Sequence, residues 1–129
     1  MNFTKDSIKI DPAKEFEKIS TKLRDDVTKK LKKRGAVVGI SGGIDSSVVL
    51  AICAKTFGPE RVVGVMLPEN DSNPDSLELA TKLAEKFNVK YIVENMTDAL
   101  AGLGCYRRRD EAIKNIFPEY NNNYKAKIT

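Results

Sequence analysis

Between Gly35 and Pro59 a short apolar run, Ala36 to Ile40, feeds into Ser41-Gly42-Gly43-Ile44-Asp45. From Ser46 onward Val48, Val49, Ile52, Cys53 and Phe57 recur at helical spacing until Gly58-Pro59 stops them. A strand, a tight glycine turn and a helix in that order constrain the fold more than any other stretch of the chain. The run is rich in valine and isoleucine, which reads as a strand buried on both faces of a parallel sheet. The pattern then repeats. Val62 to Leu67 is a second apolar run and Pro68 to Asn73 a polar loop. From Pro74, the residues Leu77, Ala80, Leu83, Ala84 and Phe87 form one helical stripe before a third run, Val89 to Val93. Strands alternating with helices predict right-handed crossovers and an α/β fold. The architecture expected is an open, doubly wound parallel sheet, Rossmann-like, in three α/β/α layers.

The flanks fit around this unit. Asp11-Pro12 is a helix start, since the carboxylate accepts from orphan amides and proline gives up an N–H that had no partner. Phe16, Ile19, Leu23, Val27 and Leu31 make one apolar stripe, so the spacing predicts a helix to about Arg34, ended by Gly35 in a left-handed conformation. Lys29, Lys30, Lys32, Lys33 and Arg34 fall in its last turns, where the helix dipole attracts cations. That favours a solvated cluster over a nucleic-acid patch. Beyond Thr97, read as a cap, a short helix closes at Gly102 to Gly104 and another covers Arg107 to Ile116, stopping before Pro118. Asp110 and Glu111 directly follow Arg107, Arg108 and Arg109, so an exposed ion-pair network is favoured there over phosphate contacts or a dimer interface.

Composition removes whole classes of chemistry. The chain has 129 residues, which suits one domain over 1–129, and it contains no histidine. Ser-His-Asp and Cys-His catalysis and His-ligated metal sites are therefore excluded. Cys53 and Cys105 are too far apart for a CxxC motif. Cys53 falls on an apolar helix face and is assigned to the core, and Cys105 is left as a free, weakly placed thiol. Twenty-two basic against 18 acidic residues leave a net charge of +4, too small and scattered for a nucleic-acid partner. The longest apolar run, Val48 to Ala54, is far short of the roughly 20 residues that cross a bilayer, so no membrane partner is expected either. No secretory pattern is visible at the N-terminus, and a cytoplasmic setting is predicted. Carboxylates, amides, hydroxyls and cations remain.

In an open parallel sheet, ligands sit beyond the carboxyl ends of the strands, at the turn into the first crossover helix. Gly39-Ile40-Ser41-Gly42-Gly43-Ile44-Asp45-Ser46 occupies that turn. Glycines let amides approach an anion, the helix start adds partial positive charge, and Ser41 and Ser46 add hydroxyls. An aspartate inside an anion nest would repel phosphate, so Asp45 reads as a ligand for a Mg²⁺ ion bridging to phosphates. GxxxxGK[ST] requires a lysine that is missing here, and GxGxxG has a different glycine spacing. The loop instead matches SGGxDS, which arises by chance on the order of once per million windows. It resembles the PP-loop of the ATP pyrophosphatase superfamily. Gly64-Val65-Met66-Leu67-Pro68 and Leu103-Gly104-Cys105-Tyr106-Arg107-Arg108-Arg109-Asp110-Glu111-Ala112 narrow the resemblance to ammonia-dependent NAD synthetase, over its N-terminal half.

The resemblance implies the adenine nucleotide alpha hydrolase type of fold, with ATP and Mg²⁺ as cofactors and Gly39 to Ser46 around the triphosphate. It implies a ligase of NAD biosynthesis. The nicotinate carboxylate of deamido-NAD attacks the α-phosphate of ATP, pyrophosphate leaves, and ammonia displaces AMP. It also implies a homodimer. Asn123-Tyr124-Lys125-Ala126-Lys127 resembles the family's Asn-x-Lys-Ala-Arg substrate element, which points to Asn123, Lys125 and Lys127 as substrate contacts. Lysine stands there in place of arginine and lacks its bidentate fork. The adenine would lie near Val65 to Leu67, with Glu69, Asn70 and Asp71 along its edge. Because the family's chains are longer, a catalytically incomplete ATP-binding module is the alternative. Another PP-loop enzyme, GMP-synthetase-like or tRNA-modifying, is a third reading.

Overall fold

The computed structural model describes residues 4–121, 123 and 124. β1 (Ala36–Gly39), β2 (Val62–Met66) and β3 (Lys90–Val93) form a parallel sheet in the order β1-β2-β3. Ala36 pairs with Val62 and Val38 with Gly64; Gly64 in turn pairs with Tyr91. α2 (Ile44–Phe57) joins β1 to β2, and α3 (Pro74–Lys86) joins β2 to β3. The α/β class and parallel sheet are those the sequence predicts.

One face of the sheet carries the core. Val38, Ile40, Val62 and Met66 project toward Leu50, Cys53, Ala54 and Phe57 of α2 and Ala80 and Ala84 of α3, and all are buried. Both crossover helices therefore lie on the same face. The other face holds Val37, 74% exposed, and Ile92, 55% exposed, with Val63 and Val65 between them half-buried. Of the three expected layers, the described residues fill two. β1 is buried on one face and open on the other, a correction to the sequence reading. Its all-apolar composition suits two covered faces, but both crossovers step the same way and leave one face bare.

α1 (Pro12–Arg24) starts as expected: the Asp11 carboxylate accepts from the N–H groups of Ala13 at 3.1 Å and Lys14 at 3.3 Å. It packs on α2, with Leu23 and Val27 against the core, while Ile19 and Leu31 stay exposed. The helix widens into a π-helical turn over Asp25–Lys30, and the left-handed residue that follows is Lys32, with φ of 54°. Gly35 is not the helix terminator. It is small for another reason: a Cβ there would lie 1.8 Å from the carbonyl oxygen of Arg61, so β1 and the approach to β2 could not come together.

α4 (Thr97–Gly102) and α5 (Cys105–Ile116) follow β3, separated by Gly104 at φ of 70°. Thr97 is the first helical residue rather than the cap; Asn95 Oδ1 accepts from its N–H at 2.9 Å.

Candidate functional site

The loop between β1 and α2 sits at the carboxyl end of the sheet, and its geometry is set by its glycines. Gly42 has φ of 78°, and a Cβ on it would come within 2.5 Å of the Ser76 carbonyl oxygen in the first turn of α3. Loop and α3 can be this close only because residue 42 has no side chain. Gly43 is the N-cap of α2 but offers no side chain to the helix. Helix α2 begins at Ile44, two residues before the sequence suggested, so Asp45 and Ser46 belong to its first turn.

The serines hold the loop in shape. Ser46 Oγ accepts from the Ser41 N–H at 3.2 Å and donates to the Gly43 carbonyl at 3.1 Å. Ser41 Oγ accepts from the Gly43 N–H at 3.3 Å and shares a 3.1 Å contact with Ser46 Oγ. Ser47 Oγ donates to the Gly43 carbonyl at 2.8 Å. These hydroxyls, read from sequence as ligand donors, serve the loop's own backbone here. What is left open is the set of N–H groups of Gly42, Ile44, Asp45 and Ser46, none of which meets an acceptor among the described residues. Open amides at a helix N-terminus, where the dipole is positive, are the physical requirements of an anion site.

The other sequence-assigned residues are placed as follows. Gly39 ends β1 and faces open space. Ile40 directs its N–H to the Val65 carbonyl at 2.8 Å and buries its side chain, so it supports the loop from below. The Asp45 carboxylate is exposed and has no hydrogen-bond or ion-pair partner among the described residues, and it is not part of any cluster of three acidic or thiol groups. A magnesium ion needs only one or two protein carboxylates when phosphates and water complete its octahedron, so a single free Asp45 fits that role. Asn123 lies in a turn after α5, its N–H on Asn121 Oδ1 at 3.0 Å. Lys125 and Lys127 are outside the described residues.

Beside the loop, a cavity of about 160 Å³ opens between Ile40, Ser41, Met66, Leu67, Ser76 and Leu77. It lies where the sequence placed an adenine. Its rim is tied to α5 by contacts across 37 and 38 residues of chain: the Tyr106 hydroxyl donates to Glu69 Oε2 at 2.8 Å, and Arg109 pairs with Asp71. Arg109 also grips Asp110 at 2.8 Å, and Arg107 pairs with Glu111 at 3.0 Å, so the predicted ion-pair network exists and reaches further than expected. Partial burial and the Glu69 carboxylate push the Tyr106 phenol above its ordinary pKa. Glu69 and Asp71, expected at the edge of an adenine, are taken up by α5. Sequence could mark Tyr106 and Arg109 only as part of a motif, because their partners are remote in the chain.

An open parallel sheet whose first strand turns into a lysine-free glycine loop with open amides defines the PP-loop class of Rossmann-like domains. The chain belongs to the NAD synthase family, whose model matches residues 15–128. It is 41% identical over 123 residues to the NH(3)-dependent NAD(+) synthetase of Rhizobium rhizogenes, covering 95% of this chain and 37% of that protein. To the enzyme of the same name from Rhizobium meliloti it is 43% identical over 126 residues, covering 98% and 37%. Among solved structures it resembles the NH3-dependent NAD synthetase from Campylobacter jejuni in complex with the nitrate ion. The TM-score is 0.60 at 30% identity, over 76% of this chain and 42% of that one. It shares its fold with the glutamine-dependent NAD+ synthetase from Acinetobacter baumannii in complex with ADP, at a TM-score of 0.68 and 23% identity, over 94% and 24% of the two chains. The chain thus spans little more than a third of the length of its curated relatives. No helix among the described residues is long and apolar enough to cross a membrane.

Proposed function

We propose that residues 1–129 are the ATP-binding unit of an ammonia-dependent NAD synthetase and that the loop from Gly39 to Ser46 holds the triphosphate. The observation that carries this reading is the set of four open N–H groups at Gly42, Ile44, Asp45 and Ser46. Negative charge builds on pyrophosphate as the bond between the α- and β-phosphates breaks, and fixed amides at a helix start stabilise it without reorganising. Asp45 would hold Mg²⁺, which when bound neutralises phosphate charge. The cavity lined by Met66 and Leu67 would take the adenine.

In the whole protein, the nicotinate carboxylate oxygen of deamido-NAD attacks the α-phosphorus and pyrophosphate departs. Ammonia then attacks the acyl carbon, the amide forms and AMP leaves. Asn123, Lys125 and Lys127 are assigned to the dinucleotide. No acid or base from this part of the chain is needed. Exposed apolar side chains along α2, Ile44 at 76%, Val48 at 48% and Val49 at 49%, suit a homodimer contact. A cytoplasmic setting suits the small soluble substrates.

The 129-residue chain alone is expected to bind ATP·Mg without turnover, since it matches only 37% of the length of a relative named for the complete reaction. Two assays test this. Calorimetry should detect ATP binding that strengthens with magnesium, and no NAD should form from deamido-NAD, ATP and ammonia. Absence of ATP binding would refute the assignment, and turnover by the 129 residues would refute the incomplete-module reading.

A further inference from the structure

The opposite end of the sheet carries a second concave site. A cleft of about 620 Å³ is lined by Arg24, Thr28, Lys32, Lys33, Arg34, Thr56, Phe57 and Arg61. Residues 32–34 lead into β1 and Arg61 leads into β2, so the cleft lies at the amino edge of the strands, remote from the glycine loop. Its volume is within the range of small-ligand pockets.

The charge there exceeds what local structure requires. Arg24 donates to the Thr56 carbonyl at 2.9 Å and so caps the carboxyl end of α2. One cation is enough for that purpose. The neighbouring Lys29 and Lys30 are matched by Asp25 and Asp26 at 2.8 and 2.5 Å. Lys32, Lys33 and Arg34 have no acidic partner among the described residues, and Arg61 has only a loose one, Glu60 at 3.6 Å. Thr56 lines the same cleft and carries an unmet polar group beneath its surface. Thr56 is 6% exposed, and its hydroxyl is the one buried side-chain polar atom among the described residues without a hydrogen-bond partner. Such groups are rare unless a ligand or water completes them. A solvated, dipole-compensating cluster accounts for Arg24 and for Lys29 and Lys30. It does not account for the unpaired cations that line a single cavity.

We propose that this cleft is a second anion site that takes a compact polyphosphate, either free or as the tail of a nucleotide. Two or more linked phosphates match four cations in one cleft, where a monovalent anion would leave most of them unpaired. The site does not depend on what the glycine loop binds.

Residue-resolved ¹H–¹⁵N spectra separate the two sites. Inorganic tripolyphosphate is titrated at constant ionic strength without magnesium, and ATP is titrated in a parallel arm. Saturable shifts at Gly35, Thr56 and Arg61, distinct from any at 41–47, are expected with tripolyphosphate. A matching response to ATP identifies the nucleotide tail as a source; a response to tripolyphosphate alone identifies the free anion. Lys33→Glu with Arg34→Glu should weaken the cleft response by about tenfold, and Arg34→Gln, which only removes charge, should weaken it less. Lys29→Glu with Lys30→Glu, an equal change in net charge outside the cleft, should leave it within about twofold. Unmoved cleft amides, or equal losses in the two double variants, would overturn the proposal.

Discussion

Gly42→Ala should damage both the fold and the site, by an amount the geometry fixes. Alanine in the left-handed region costs about 1–2 kcal/mol. The new methyl would also stand 2.5 Å from the Ser76 carbonyl oxygen and 2.9 Å from Ser76 Cα. Those are backbone atoms in the first turn of α3, which cannot rotate aside, so the loop itself must withdraw. A total loss of about 2–4 kcal/mol follows. With a urea dependence of about 1–3 kcal/mol per molar, the unfolding midpoint should fall by about 1 M or more. Gly39 is the internal control, because a Cβ there meets nothing within 4 Å. Gly39→Ala should stay within about 0.5 kcal/mol of the parent. Gly43→Ala is intermediate: its methyl approaches only Ser41 Oγ, at 3.3 Å, so what must give is that hydroxyl's hold on the Gly43 N–H and Ser46. It should disturb ATP affinity more than stability. Urea unfolding followed by circular dichroism, with calorimetric ATP binding on each variant, reads all three. If Gly42→Ala and Gly39→Ala proved equally stable, the claim that the loop is held against α3 by a missing side chain would be wrong.

Further outcomes follow from the same structure. Asp45→Asn should weaken magnesium-dependent ATP binding by about tenfold or more while leaving metal-free binding nearly unchanged; equal losses with and without magnesium in calorimetry would exclude a metal role. Leu50 is fully buried, so Leu50→Ala should cost about 2–5 kcal/mol in urea unfolding. Lysine should be tolerated at the exposed Val37 and should unfold the chain at the buried Val38, a contrast that circular dichroism of the two variants checks. The fold holds the Tyr106 phenol neutral more firmly than the unfolded chain does. Its bond to Glu69 is therefore intact below about pH 10 and contributes stability that is lost as pH rises through the raised folded-state pKa. Tyr106→Phe should remove the high-pH tail of the phenolate absorbance titration.

The strand-loop-helix order was legible because each part has its own local signal: valine and isoleucine in β1, paired glycines at 42 and 43, helical spacing from Val48. Asp11 as a cap and Cys53 in the core were legible for the same reason, since both follow from near neighbours in the chain. Contacts between remote segments left no such signal. Gly35 looked like a helix terminator, and only the approach of Arg61 shows why it must be small. Ser41 and Ser46 looked like ligand donors, whereas their hydroxyls close the loop on itself and leave the amides open. Glu69 and Asp71 were expected along the edge of an adenine, whereas α5 brings Tyr106 and Arg109 to them. The open face at Val37 and Ile92 was hidden because burial on one side of a strand and on two give the same all-apolar run when few residues are polar. Lys125 and Lys127 fall outside the described residues, so their assignment rests on the motif alone.

The most direct test is a crystal structure of the chain grown with ATP and magnesium. The β- and γ-phosphate oxygens should lie about 2.7–3.2 Å from the nitrogens of Gly42, Ile44, Asp45 and Ser46, with a cation on the Asp45 carboxylate. A nucleotide bound elsewhere while those amides face only water would contradict the account at its centre.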